Sequence, residues 1–93
     1  MRVKQILSNY FEKTLCEDQI KHVMCVVRHK GIEYLLCISK TGIVPYAKII
    51  RADKVATLDC EMIEYDPRGL YVFADDLESL ARRTLEKIEA NIL

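Results

Sequence analysis

The sequence predicts an α+β fold: an N-terminal helix, an antiparallel β-meander of four to five strands, and a C-terminal amphipathic helix packed on the sheet. Three observations carry this. Apolar, β-rich runs end in glycine turns at Arg28-His29-Lys30-Gly31-Ile32 and again at Ser39-Lys40-Thr41-Gly42-Ile43. A third turn, Asp66-Pro67-Arg68-Gly69, has Asp, Pro and Gly where a type I turn favours them. At both ends of the chain apolar residues recur at helical spacing.

At the N-terminus, residues 2 to 15 place Val3, Ile6, Leu7, Tyr10 and Thr14 on one helical face, with Lys4, Glu12 and Lys13 on the other. Glu17-Asp18-Gln19 breaks this pattern. Residues 22 to 28, 32 to 39 and 43 to 50 are rich in Val, Ile, Leu, Tyr and Cys and read as three strands. Glycine supplies the positive φ of a three-residue hairpin loop between them. Pro45 marks the third strand as an edge or a bulged strand. Residues 55 to 65 fit either a helical face (Val55, Ala56, Leu58, Met62, Ile63) or an alternating strand (Ala56, Leu58, Cys60, Met62). The strand is favoured, because the segment leads into the Asp-Pro-Arg-Gly turn and a partner at Leu70-Tyr71-Val72-Phe73. Asp75, with Glu78 three residues on, forms a capping box for the last helix, whose stripe is Leu77, Leu80, Ala81, Thr84, Ile88 and Ile92. Glu78 and Arg82 add an i,i+4 pair on its wet side.

With three-residue loops, alternation puts Val23, Cys25, Val27, Leu35, Cys37, Ile43, Ala47 and Ile49 on one sheet face. The other carries His22, Met24, Val26, Arg28, Tyr34, Leu36, Ile38, Val44, Tyr46, Lys48 and Ile50. Both faces are apolar, so both need covers, which the two helices can supply. Any part left open points to a partner.

Ninety-three residues with 51% apolar and 30% charged side chains suit one globular domain, residues 1 to 93, and exclude a disordered chain. The first nine residues are too polar for a signal peptide and no 18-residue apolar run follows, which predicts a cytoplasmic protein without a membrane partner. Cys16, Cys25, Cys37 and Cys60 form no Cys-x-x-Cys pair and read as reduced, buried hydrophobes in that compartment. Net charge is zero, but residues 1 to 54 carry ten Lys/Arg against five Asp/Glu and residues 55 to 93 carry four against nine. That polarity suits self-association or a charged partner, unless folding intermixes the two signs.

Catalytic signals are thin. His22, Cys25, His29 and Cys37 count as four zinc ligands, but alternation on strands keeps them from converging. No thiol sits beside a glycine turn or helix start that would activate it as a nucleophile. Asp59, Glu61, Glu64, Asp75 and Asp76 are commonplace on an exposed strand and at a helix start. No phosphate-binding glycine loop or metalloprotease motif occurs. The expected protein is therefore not an enzyme and needs neither metal nor cofactor. Two functions follow. The first is a small protein-interaction module (an inhibitor, adaptor or regulatory subunit, expected as a homodimer) that binds through an apolar sheet face or edge with Tyr34, Leu36, Ile38, Tyr46 and Lys48. The alternative is a single-stranded nucleic-acid binder. In it Tyr34 and Tyr46 stack bases while Arg28, Lys48, Arg51 and Lys54 hold phosphate, a reading weakened by the zero net charge.

Overall fold

The computed structural model describes residues 2 to 90. Helix α1 (Arg2–Leu7) leads into β1 (Lys13–Asp18), β2 (His22–His29), β3 (Ile32–Ser39) and β4 (Tyr46–Arg51). A 3-10 turn (Ala52–Lys54), helix α2 (Cys60–Glu64), β5 (Leu70–Phe73) and helix α3 (Leu77–Glu89) follow. The strands form one antiparallel sheet in the order β1-β2-β3-β4-β5. This is the α+β meander between two terminal helices that the sequence predicts.

Several elements differ from expectation. The first helix stops at Leu7, and Tyr10 and Phe11 both donate backbone N–H groups back to the Leu7 carbonyl. The chain then extends as β1, in which Thr14 is buried and Cys16 half-buried while Lys13, Leu15 and Glu17 are exposed. Its period is two rather than 3.6, and the helical fit of Tyr10 and Thr14 was a coincidence of spacing. Residues 55 to 65 contain a helix, α2, rather than a strand. The Asp59 carboxylate accepts from the Glu61 amide at 3.0 Å to start it, and Cys60 and Ile63 form its buried side. Strand β4 begins after Pro45, so Ile43 is fully exposed, and β4 lies inside the sheet rather than at its edge. The cap of α3 is Asp76, one residue beyond Asp75, and its carboxylate accepts from Ser79 N–H at 2.7 Å. Glu78 takes the Tyr10 hydroxyl as its donor. Leu77, Leu80, Ala81, Thr84 and Ile88 form the inner stripe as expected, and Ile92 lies outside the described residues.

One turn reassigns a whole strand. The β2–β3 loop has two residues, Lys30 (φ 52°) and Gly31 (φ 79°), both left-handed as a type I′ turn requires. Against a three-residue loop this shifts register by one, which moves every β3 side chain to the opposite face. Cys25 pairs with Leu36 and Val27 with Tyr34. The front face therefore carries Val23, Cys25, Val27, Tyr34, Leu36, Ile38, Ala47 and Ile49, and both α1 and α3 cover it. Leu35 and Cys37 join Met24 and Ile50 on the back face beneath Cys60 and Ile63 of α2. The terminal helices thus share one face, and α2 with the segment at 52 to 55 covers the other.

The cysteines are paired. Cys16–Cys25 bridges β1 to β2, and Cys37–Cys60 ties β3 to α2. The reading as free thiols fails because Cys16 meets Cys25 once β1 and β2 pair as a hairpin, and Cys37 meets Cys60 once α2 packs on β3. Loop closure over sequence separations of 9 and 23 residues corresponds to about 2.5 and 3.5 kcal/mol of constraint on the unfolded chain.

The turn before β5 supplies an acid-sensitive contact. Arg68 binds Asp66 through its backbone N–H, Nε and Nη2 at 2.8 to 3.0 Å, and these bonds hold the Asp66 carboxyl at about 2, below its ordinary 3.8. A depressed carboxyl contributes stability that is complete above its unfolded pKa and lost as pH falls through its folded one. Acid titration followed by circular dichroism is expected to show this loss between pH 3.8 and about 2, with a flatter limb in Asp66→Asn.

Candidate interaction edge

Strand β5 and its neighbour β4 build the most distinctive surface. Alternation puts Tyr46, Lys48, Tyr71 and Phe73 together on the back face, with Tyr46 opposite Phe73 and Lys48 opposite Tyr71. Tyr46 stacks on Phe73 with ring centroids 5.5 Å apart, and Tyr71 stacks on Phe73 at 6.3 Å. Tyr71 and Phe73 are 43% and 55% exposed, so two large rings face water side by side. Isolated exposed apolar side chains are ordinary, whereas here the exposed rings stand in one stacked row.

The ridge is held from beneath by the end of α2. Lys48 is buried, and its ammonium donates to the carbonyls of Asp66 at 2.5 Å and Glu64 at 3.4 Å while lying 4.8 Å from the Tyr71 ring centroid. Carbonyls at a helix end attract such a cation. Tyr71 donates its hydroxyl to the same Glu64 carbonyl at 2.5 Å. The Glu64 carboxylate meets His22 Nε2 at 3.0 Å and accepts from the Tyr46 hydroxyl at 3.4 Å. Burial foremost, then the charge of Glu64 and the neighbouring phenols, raises the Tyr71 hydroxyl above its ordinary 10.0, so it remains a donor through the neutral range. Lys48 therefore braces α2 and has no free ammonium to offer a ligand.

Backbone geometry leaves the outer side of β5 without a strand partner, with Arg83 on its Phe73 carbonyl. Ala74 donates its N–H to the Pro45 carbonyl across the β4–β5 ladder. In an antiparallel pair the direction alternates, so Leu70 and Val72 also face β4, and Tyr71 and Phe73 point their N–H and C=O groups away from it. Arg83 of α3 confirms the direction by donating to the Phe73 carbonyl at 2.8 Å from outside the ladder. The other edge, β1, carries Lys13, Glu17 and Asp18, charges of the kind that block strand addition. Strand β5 carries no charge or proline.

The residues expected to bind a partner divide between the faces. Tyr34, Leu36 and Ile38 lie buried on the front face under the terminal helices, at 7%, 1% and 5% exposure, and are core side chains. Tyr46 and Lys48 come together on the back face. For nucleic acid, Tyr34 and Tyr46 sit on opposite faces and cannot form one stacking platform. Arg28 and Arg51 line one open groove, but Glu33 binds the first at 3.3 Å and Asp53 the second at 2.9 Å. Lys54 is exposed at the end of the 3-10 turn. The Lys21–Glu61 ion pair joins the basic half of the chain to the acidic one, so opposite signs meet on the folded surface. Of the zinc set, Cys25 and Cys37 lie on opposite faces, each in its own disulfide. Sequence reasoning identified the Leu70–Phe73 strand but not Tyr71, Phe73 or Glu64 as site residues. Two aromatics at i,i+2 in a four-residue strand were the available signal.

The fold and this edge define a class: a five-stranded antiparallel sheet with terminal helices on one face and an aromatic, uncharged edge strand. Comparison with family models, curated proteins and solved structures returns no match to this chain.

Proposed function

We propose that this chain is a small non-enzymatic protein-interaction module, of the inhibitor, adaptor or regulatory-subunit kind, whose docking element is the β5 edge. The occupant of that edge is β5 of a second copy. The carrying observation is the outward set of backbone groups on Tyr71 and Phe73 beside an exposed aromatic ridge. This set is self-complementary. A twofold axis through Val72 places Tyr71 opposite Phe73 of the partner, so each pair can exchange two main-chain hydrogen bonds. The Phe73 carbonyl keeps a lone pair for this beside Arg83. The same axis sets the two ridges ring to ring, and charges on β1 stop the joined sheet from growing further.

No cysteine among the described residues is free to act as a nucleophile, and none of their His, Cys, Asp and Glu side chains cluster as metal ligands. No described helix is long and apolar enough to cross a membrane. With both disulfides formed, a cytoplasmic location requires the disulfide-permissive interior known from hyperthermophiles, and otherwise an oxidising compartment is where such pairs persist.

Two residue pairs make a small interface, so the dimer is weak, with Kd on the order of 10–100 μM. Sedimentation over a concentration series is expected to show mass rising from monomer to dimer. Phe73→Lys should weaken the dimer by roughly tenfold or more through like-charge and lost ring contacts, with an unchanged circular dichroism spectrum. A strict monomer at about 1 mM would overturn the proposal.

A further inference from the structure

We propose that the Cys16–Cys25 bridge, on the sheet edge opposite β5, is a thiol–disulfide exchange site whose reactant is a dithiol. The four bridged cysteines are not equivalent in exposure. Cys25, Cys37 and Cys60 are fully buried, whereas Cys16 is half-buried on the edge strand β1. The Cys37–Cys60 bridge lies inside the back-face core between the sheet and α2, among Met24, Leu35, Ile50 and Ile63. An attacking thiolate must approach from solvent, and Cys16, on the edge strand and only partly packed against the front-face core, is the one bridged cysteine residue with exposed surface, which makes its side the entry point.

Register makes the site reversible. Gln19 N–H donates to the His22 carbonyl, which fixes the alternation of the β1–β2 ladder and makes Cys16 opposite Cys25 a pair without mutual backbone hydrogen bonds. Side chains approach most closely at such pairs, and the Cα atoms here are 4.1 Å apart. The backbone bonds on either side do not depend on the bridge. After opening, the ladder keeps the two thiols opposed and ready to close again.

The exchange balances in two steps. One thiolate of the dithiol attacks Cys16 Sγ, forming a mixed disulfide as the Cys16–Cys25 bond breaks, and the departing Cys25 sulfur takes up a proton. The second thiol of the reactant then attacks its own sulfur in the mixed disulfide and expels Cys16, which is protonated in turn. The reactant leaves as a cyclic disulfide, having given two electrons, and the protein holds two thiols.

The test starts from folded protein oxidised with excess glutathione disulfide. Graded dithiothreitol is added under native conditions, followed by acid quench, unfolding, maleimide labelling and peptide mass spectrometry. Cys16–Cys25 is expected to open roughly tenfold or more faster than Cys37–Cys60. In a second experiment on the native fold, Cys25→Ser is expected to expose a Cys16 thiol that maleimide labels, while Cys16→Ser leaves Cys25 unlabelled. Simultaneous opening, earlier opening of Cys37–Cys60, or failure of Cys16 and Cys25 to join under oxidation would each overturn the proposal. The wild-type comparison decides the matter even if a serine variant does not fold.

Discussion

Leu36→Asp is expected to leave no folded protein at room temperature. Leu36 is 1% exposed at the centre of the front-face core, where it pairs with Cys25 on one side and Ile49 on the other. Truncating a buried leucine forfeits about 2 to 5 kcal/mol. An uncompensated buried carboxylate adds several more or forces its own protonation. Domains of this size hold only about 5–15 kcal/mol in total, so the sum removes most or all of it. Circular dichroism and urea unfolding distinguish this from the sequence-based reading of Leu36 as an exposed docking residue. In that case the variant would fold normally and lose only a partner. Phe73→Lys is the matched control, because its side chain already faces water.

Gly69→Ala is expected to cost about 3 kcal/mol and lower Tm by roughly 15 °C. Gly69 closes the Asp66–Gly69 turn with φ +87°, a conformation that L side chains rarely adopt. Space is the larger obstacle. A Cβ there would lie 2.3 Å from the Ile49 carbonyl oxygen and 3.1 Å from Ile50 Cβ, so β4 itself would have to shift. That movement would also displace Lys48 and the α2 end it braces, and β5 would lose its register with β4. Gly31→Ala makes the comparison informative, since Gly31 has positive φ but nothing within 4 Å of an added Cβ. It should lose clearly less stability than Gly69→Ala in the same thermal scan.

The elements that sequence reasoning located correctly are those with strong local punctuation. Strands β2, β3 and β5 and helix α3 are each bounded by a glycine turn or a capping aspartate, whose chemistry is local. The errors arise where local patterns admit two solutions and tertiary register chooses between them. Lys30-Gly31 can belong to a two- or a three-residue loop, and only the packed sheet selects the turn that sends Leu36 forward and Leu35 back. In β1, Thr14 and Cys16 alternate inward, but the segment is short and its spacing from Val3 and Ile6 also fits a helix. Asp59 could have been read as the cap of α2, with Cys60 and Ile63 one turn apart, as easily as an outward strand residue. The disulfides follow from these placements: Cys16 meets Cys25 only once β1 is a strand, and Cys60 meets Cys37 only once α2 lies on the back face. The open edge depends on which residues of β5 face β4, a parity that the sequence of four residues does not carry.

The most direct measurement is amide hydrogen exchange, read residue by residue by NMR at protein concentrations from about 0.05 to 2 mM. The Tyr71 and Phe73 amides point away from β4 and should be protected only when a second β5 pairs with them. Their exchange is expected to slow together as concentration rises, while Val72, whose N–H already faces β4, stays constant. Exchange at Tyr71 and Phe73 that is fast and independent of concentration would contradict strand pairing through this edge.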